Sequence, residues 1–184
     1  ANVSEDIVDA MGFGYWQGSH MVNDQELLEN DVNRYYDVFG KETDYRKMEE
    51  LITDFVMTLK TDYNYTSAEF LYLLGKYLGK KNIPSITAVA AANGVPIFSP
   101  AMVDSAYGET FLMAKNQGHN VVIDSVKEFD QFISIGTKTK DSPGDHARQA
   151  VGCQISDEQI GGIASEHETE QQQSVIGQHL VAQE

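Results

Sequence analysis

Apolar residues recur at helical spacing through the middle of the chain. Met48, Leu51, Ile52, Phe55, Val56 and Leu59 share one face of a helix predicted from about Asp44 to Lys60. Thr66 with Glu69 three residues on forms a capping-box pattern. It opens a second helix whose apolar face carries Phe70, Leu71, Leu74 and Leu78. Near the start, Ser4 followed by Glu5 and Asp6, then Ile7, Val8 and Met11, reads as a capped helix with acids placed favourably at its positive end. An α/β domain usually sets a strand before such a helix, so a strand is expected ahead of Ala1. Tyr15 to Phe39 has no clear period and reads as an irregular excursion.

Beyond Lys80 the pattern alternates. Ser85 to Asn93, ending at Gly94, predicts a helix with a left-handed cap. Val95 to Ser99, Val121 to Asp124 and Phe132 to Gly136 are short apolar runs followed by polar loops, and predict parallel strands of one sheet. A helix from about Gly108 to Asn116 lies between the first two. This order predicts an α/β fold with crossover helices. Ligands of open parallel sheets bind beyond the carboxyl ends of strands, so Asp104, Ser105, Glu109 and Asp124 are the first candidate residues. The connection from Asp124 to Phe132 is too short for a parallel crossover. A break in the chain, with residues missing, is therefore expected near Phe129 and Asp130.

Composition narrows the classes. A chain of 184 residues with 41% hydrophobic side chains can bury one sizeable core. Residues 1–155 are read as that domain, and residues 156–184 as an acidic, glutamine-rich tail. No stretch approaches a bilayer span and no signal peptide is visible, so a soluble, cytoplasmic protein is expected, without membrane contact. Cys153 is the single cysteine, which excludes an internal disulfide and reads as a packed apolar residue. The net charge of −15 repels phosphate backbones, so nucleic acid is excluded as a ligand and cations fit.

The motif search is mostly negative. Gly12-Phe13-Gly14 with Gly18 has the wrong spacing for a dinucleotide loop and follows a helix. His167-Glu168 meets Gln171 where a zinc protease needs histidine, and the histidines show no metal-ligand spacing. No serine stands in a nucleophile elbow. Spacing alone therefore reaches an α/β domain with acids at a cleft.

Three segments go further. Ala1 to Asp6, Val32-Asn33-Arg34-Tyr35-Tyr36-Asp37-Val38 and Gly94 to Ser105 resemble deoxyhypusine synthase and its bacterial and archaeal relatives, in the family's order. The helix Thr66 to Leu78 resembles the bacterial branch. The resemblance implies a Rossmann-like, doubly wound, mostly parallel sheet in a homotetramer. It implies NAD as cofactor, spermidine as aminobutyl donor, and an acceptor amine, either a lysine of the hypusine-containing translation factor or a small diamine. By residue, it implies that Glu5, Asp104 and Thr137 contact NAD and that Glu109 and Asp141 contact spermidine. Glu109 replaces an aspartate of the family. Two departures stand out: a glycine-rich segment is absent between Asp124 and Phe132, and Gln154 stands where the Schiff-base lysine is expected. No lysine follows Lys140. A non-catalytic subunit that assembles with an active paralogue is the competing expectation.

Overall fold

The computed structural model describes residues 2–140. They form a mixed α/β arrangement with two small sheets set against a helical core. Helix α1 (Asn2–Ala10) begins two residues before the expected cap. Ser4 lies buried inside it, and its hydroxyl donates to Glu5 Oε2 at 3.2 Å instead of capping the helix.

The segment expected to be irregular is ordered. It contains β1 (Trp16–Gln17), α2 (Asp24–Glu29), β2 (Val32–Tyr35) and β3 (Val38–Lys41), with strands in the antiparallel order β1-β3-β2. Only Tyr36 and Asp37 separate β2 from β3, and Tyr36 adopts φ 58°. Glycine or asparagine normally announces such a turn, and tyrosine does not. Trp16, Phe39 and Arg34 stand opposite one another in one cross-strand row. The indole of Trp16 meets the Phe39 ring edge-on, with centroids 6.1 Å apart.

The core lies between α1, α3 (Glu42–Val56), α4 (Ser67–Lys80), α5 (Ile86–Ala92) and α6 (Ala106–Asn116). Met48, Ile52, Phe55 and Val56 of α3 meet Phe70, Leu71, Leu74 and Leu78 of α4, as their spacing predicts. Loss of one such side chain to alanine costs about 2–5 kcal/mol. The capping box forms, with Thr66 Oγ1 accepting from Glu69 N at 3.2 Å and Glu69 Oε2 from Thr66 N at 2.8 Å. α4 and α5 touch at Gly75, where any side chain would collide with Thr87 O and come within 2.6 Å of Ala91 Cβ. Gly94 takes φ 65° after α5, as expected.

The strand expectations divide. β4 (Asn64–Tyr65) and β5 (Val122–Ile123) pair in parallel across a crossover that contains α4, α5 and α6. Val95 to Ser99 joins no ladder among the described residues. Pro96 has no N–H to donate. The N–H of Val95 goes to Ala90 O at 2.9 Å, and that of Ser99 to Ser67 Oγ at 2.7 Å. Phe132 to Gly136 is helix, inside α7 (Ser125–Lys140), which runs unbroken through Phe129 and Asp130. Asp124 starts it by accepting from Val126 N at 3.1 Å and Lys127 N at 2.8 Å. With no strand at Phe132, no crossover has to be made, and the reason for expecting a break disappears. A doubly wound sheet is not formed by the described residues, and the tail beyond Lys140 lies outside them.

Candidate active site

Three pieces of chain bring acids to one place, and a fourth closes it. Glu5 comes from the first turn of α1, which is fixed where Asp6 Oδ2 accepts from Ile86 N of α5 at 2.6 Å. Glu42, Tyr45 and Glu49 follow at spacings of three and four along α3, which puts them on one helix face. Asp104 and Glu109 flank the start of α6, where Ser105 Oγ accepts from Tyr107 N at 3.4 Å and donates to Met102 O at 2.6 Å. β2 closes the site with Asn33, Arg34 and Tyr35. Together these residues line a cavity of about 470 Å³.

Charge in this cavity is poorly balanced. Among the described residues that line it, Arg34 is the only lysine or arginine. Its guanidinium is already engaged, donating to Asp24 Oδ1 at 2.6 Å and Oδ2 at 2.8 Å, and to Tyr36 O at 3.0 Å. Asp24 is held below the usual carboxylate range by those hydrogen bonds. Glu42 accepts from Asn33 Nδ2 at 2.6 Å and pairs with Arg46 at 3.2 Å on its outer side. Glu49 has no such help. Burial first, then the charges of Glu109 and Glu42, push its carboxyl up to about 7 against the weaker pull of Arg46.

Tyrosines form one wall. Tyr45 Oη donates to Tyr15 Oη at 2.9 Å, and Tyr15 Oη donates to Glu5 O at 3.2 Å. The Tyr35 ring lies 6.0 Å from that of Tyr45. Burial, followed by hydrogen bonds to Tyr15 and Tyr35, raises Tyr45 far above an ordinary phenol. The trio therefore stays neutral and offers ring faces and hydroxyls. Beneath it, Tyr107 is raised by burial and then by Glu5 and Asp6, and its hydroxyl has no partner among the described residues.

Asp104, Ser105 and Glu109 also form one side of a second, more open hollow of about 490 Å³. Val103, Gly108 and Leu112 complete it and give it an apolar wall. Among the described residues no three carboxylates, histidines or cysteines converge closely enough to hold a metal ion. The acids are instead spread around the wall.

Of the residues singled out from sequence, Glu5, Asp104, Ser105 and Glu109 are brought together here, whereas Asp124 caps α7 instead. Thr137 is not. It is exposed on α7, where its hydroxyl donates to Ser134 O at 3.0 Å. Asp141 lies outside the described residues. Glu42, Glu49, Tyr35 and Tyr45 were missed as site residues, although the first, second and last carry a readable signal in their shared helical face.

A family model described as deoxyhypusine synthase matches residues 1–144. The chain belongs to the deoxyhypusine synthase family. "Probable deoxyhypusine synthase 2" of Methanosarcina acetivorans is 37% identical over 142 residues, covering 76% of this chain and 41% of its own length. A "deoxyhypusine synthase-like protein" of Chlorobaculum tepidum is 37% identical, covering 72% of this chain and 39% of its own. A solved structure from Entamoeba histolytica described under the same enzyme name overlaps 73% of this chain and 42% of its own, at TM-score 0.46 and 19% identity. The chain thus spans about two fifths of the deoxyhypusine synthases it resembles. No described helix is long and apolar enough to cross a membrane.

Proposed function

We propose that this chain supplies the polyamine-recognising part of a deoxyhypusine synthase-type transferase, which moves the aminobutyl group of spermidine to an acceptor amine. The observation that carries this reading is the cavity's charge: five carboxylates from α1, α3 and α6 and its preceding loop, facing one guanidinium already engaged by Asp24. A polycation offers charge where these residues lack it. Glu5, Asp104 and Glu109 take ammonium groups as charge-assisted hydrogen bonds. The faces of Tyr35 and Tyr45 receive methylenes and add cation–π attraction. Val103 and Leu112 extend the apolar surface past the acid ridge, so a chain alternating amines and methylenes meets both of its chemistries.

NAD fits less well. Glu5 and Asp104 suit ribose hydroxyls, but the diphosphate would meet five carboxylates and, as the one cation among the described lining residues, an arginine already held by Asp24. The dinucleotide would need groups beyond these residues, so no hydride step is placed on them. The Rossmann-like sheet and the tetramer stand with it as readings drawn from the family, and the parallel pairing of β4 with β5 supports the first.

A second reading has its own support. Among the described residues no lysine lines the cavity, and Lys127 is occupied by Glu69. A subunit that binds polyamine and relies on a catalytic paralogue for the Schiff-base lysine accounts for this. Calorimetry with spermidine tests the shared claim, and binding weakened in Glu109→Ala is expected. Incubation with labelled spermidine, NAD and either factor precursor or putrescine separates the two readings. Label in one acceptor establishes transfer by this chain and names the acceptor. Binding without transfer, restored by adding a paralogue, establishes the accessory subunit. Absence of spermidine binding overturns both.

A further inference from the structure

Five ionised carboxylates around one cavity would repel one another, and one retained proton relieves the most crowded of them. Glu49 is that one. On its own helix it faces Glu42 one side along, with Arg46 drawn outward into a pair with Glu42. From α6 it faces Glu109, and from the other walls Glu5, Asp104 and the neutral hydroxyl of Tyr35. It is half-buried, whereas Asp104 and Glu109 are exposed to water. These surroundings push its carboxyl up to about 7.

We propose that Glu49 exchanges its proton for an ammonium group when a polyamine enters the cavity. The inference rests on the polyamine reading above and adds to it a charge-adjusting residue. In the free protein the carboxyl is partly protonated. An entering ammonium supplies the positive charge the proton had supplied, the O–H bond of Glu49 breaks, and the proton passes to solvent while the carboxylate binds the cation. The charge at Glu49 is thus compensated in both states, by the proton in one and by the ammonium in the other. Because binding requires loss of that proton, affinity rises with pH through neutrality. Between pH 6 and pH 8 the ionised fraction of such a group grows about tenfold, and affinity follows it.

Two measurements on the full chain test this. The first follows the Glu49 carboxyl by carbon NMR, assigned with Glu49→Gln. A midpoint near 7 without ligand, falling to about 5 or below with saturating spermidine, is expected. A midpoint already below about 5 in the free protein overturns the proposal whatever spermidine does. The second is calorimetry with spermidine at pH 7 in two buffers of different ionisation heat. Release of about half a proton is expected from the wild type and from Glu49→Asp, and none from Glu49→Gln. The neighbouring exposed Glu50→Gln serves as control and keeps the release. Spermidine binding with equal proton release in wild type and Glu49→Gln also overturns it. No binding at all, with the free midpoint near 7, overturns the polyamine reading and the exchange together.

Discussion

Two glutamates, Glu69 and Glu49, show opposite uses of the same side chain. Glu69, at the start of α4, is buried and fully matched. It accepts from Thr66 N at 2.8 Å and Tyr63 Oη at 3.0 Å, and both of its oxygens accept from Lys127 Nζ, at 3.1 and 2.9 Å. Burial alone would lower Lys127, but hydrogen bonds with Tyr63 and Glu69 outweigh it and raise it. Glu128 on the same turn accepts from Ser67 N at 2.5 Å, so α7 is stitched to α4 twice. Glu49 sits among like charges with no cation of its own. The matched acid ties two helices together, and the unmatched one lines the cavity.

Breaking the matched cluster should have the largest effect. Lys127→Met leaves the Glu69 charge buried with its main partner gone, and is expected to cost about 2–3 kcal/mol, discounted from a fully buried pair because the lysine is partly exposed. A lowered urea midpoint with spermidine affinity within about twofold of wild type checks it. A loss of affinity without a loss of stability would erase the contrast between the two sites.

Glu109→Ala should do the reverse. Removing one charged hydrogen bond to an ammonium weakens spermidine binding about 10- to 100-fold by calorimetry, while the urea midpoint holds or rises. Binding unchanged in this variant would remove Glu109 from the site.

A smaller effect separates the two acids by pH. Glu49 has a folded value near 7, above its ordinary 4.5, so the folded chain retains a proton that the unfolded chain has given up between those values. Its contribution to stability is fully present below pH 4.5 and is lost as pH rises through about 7. Thermal melts should therefore show a higher Tm at pH 5 than at pH 8, with a smaller difference in Glu49→Gln. Equal pH dependence in the two proteins would deny Glu49 its special place. Smallest of all, Thr137→Ala should change stability by less than about 0.5 kcal/mol and leave spermidine binding alone, since its hydroxyl serves only its own helix.

What could be read from the sequence follows from how local each signal is. Thr66 and Glu69 announce their capping box because both partners lie within one turn. The apolar face of α3 and α4 is visible because burial imposes the helical period on it. Phe132-Ile133-Ser134-Ile135 misleads because a short apolar run suits a buried strand or a helix equally. Val126, Phe129 and Ile133 already carried helical spacing, but Val126 and Phe129 are more than half exposed, so no core enforced a clean pattern. Tyr36 hid a hairpin by doing glycine's work at positive φ. Glu5 was found through family resemblance, and Asp104 and Glu109 both through it and through their place after the apolar run Val95 to Ser99. Glu42 and Glu49 were passed over because the polar side of an amphipathic helix looks the same whether it faces water or a cavity.

The cross-strand row of Trp16, Phe39 and Arg34 has an optical consequence. Trp16 is the chain's single tryptophan, 40% exposed and in edge contact with Phe39, and the opposite end of its row is an arginine of the cavity wall. Indole emission is sensitive to the polarity and motion around the ring. Every photon of tryptophan fluorescence from this protein therefore originates on one small sheet, and its colour and lifetime report that sheet without any second indole to disentangle.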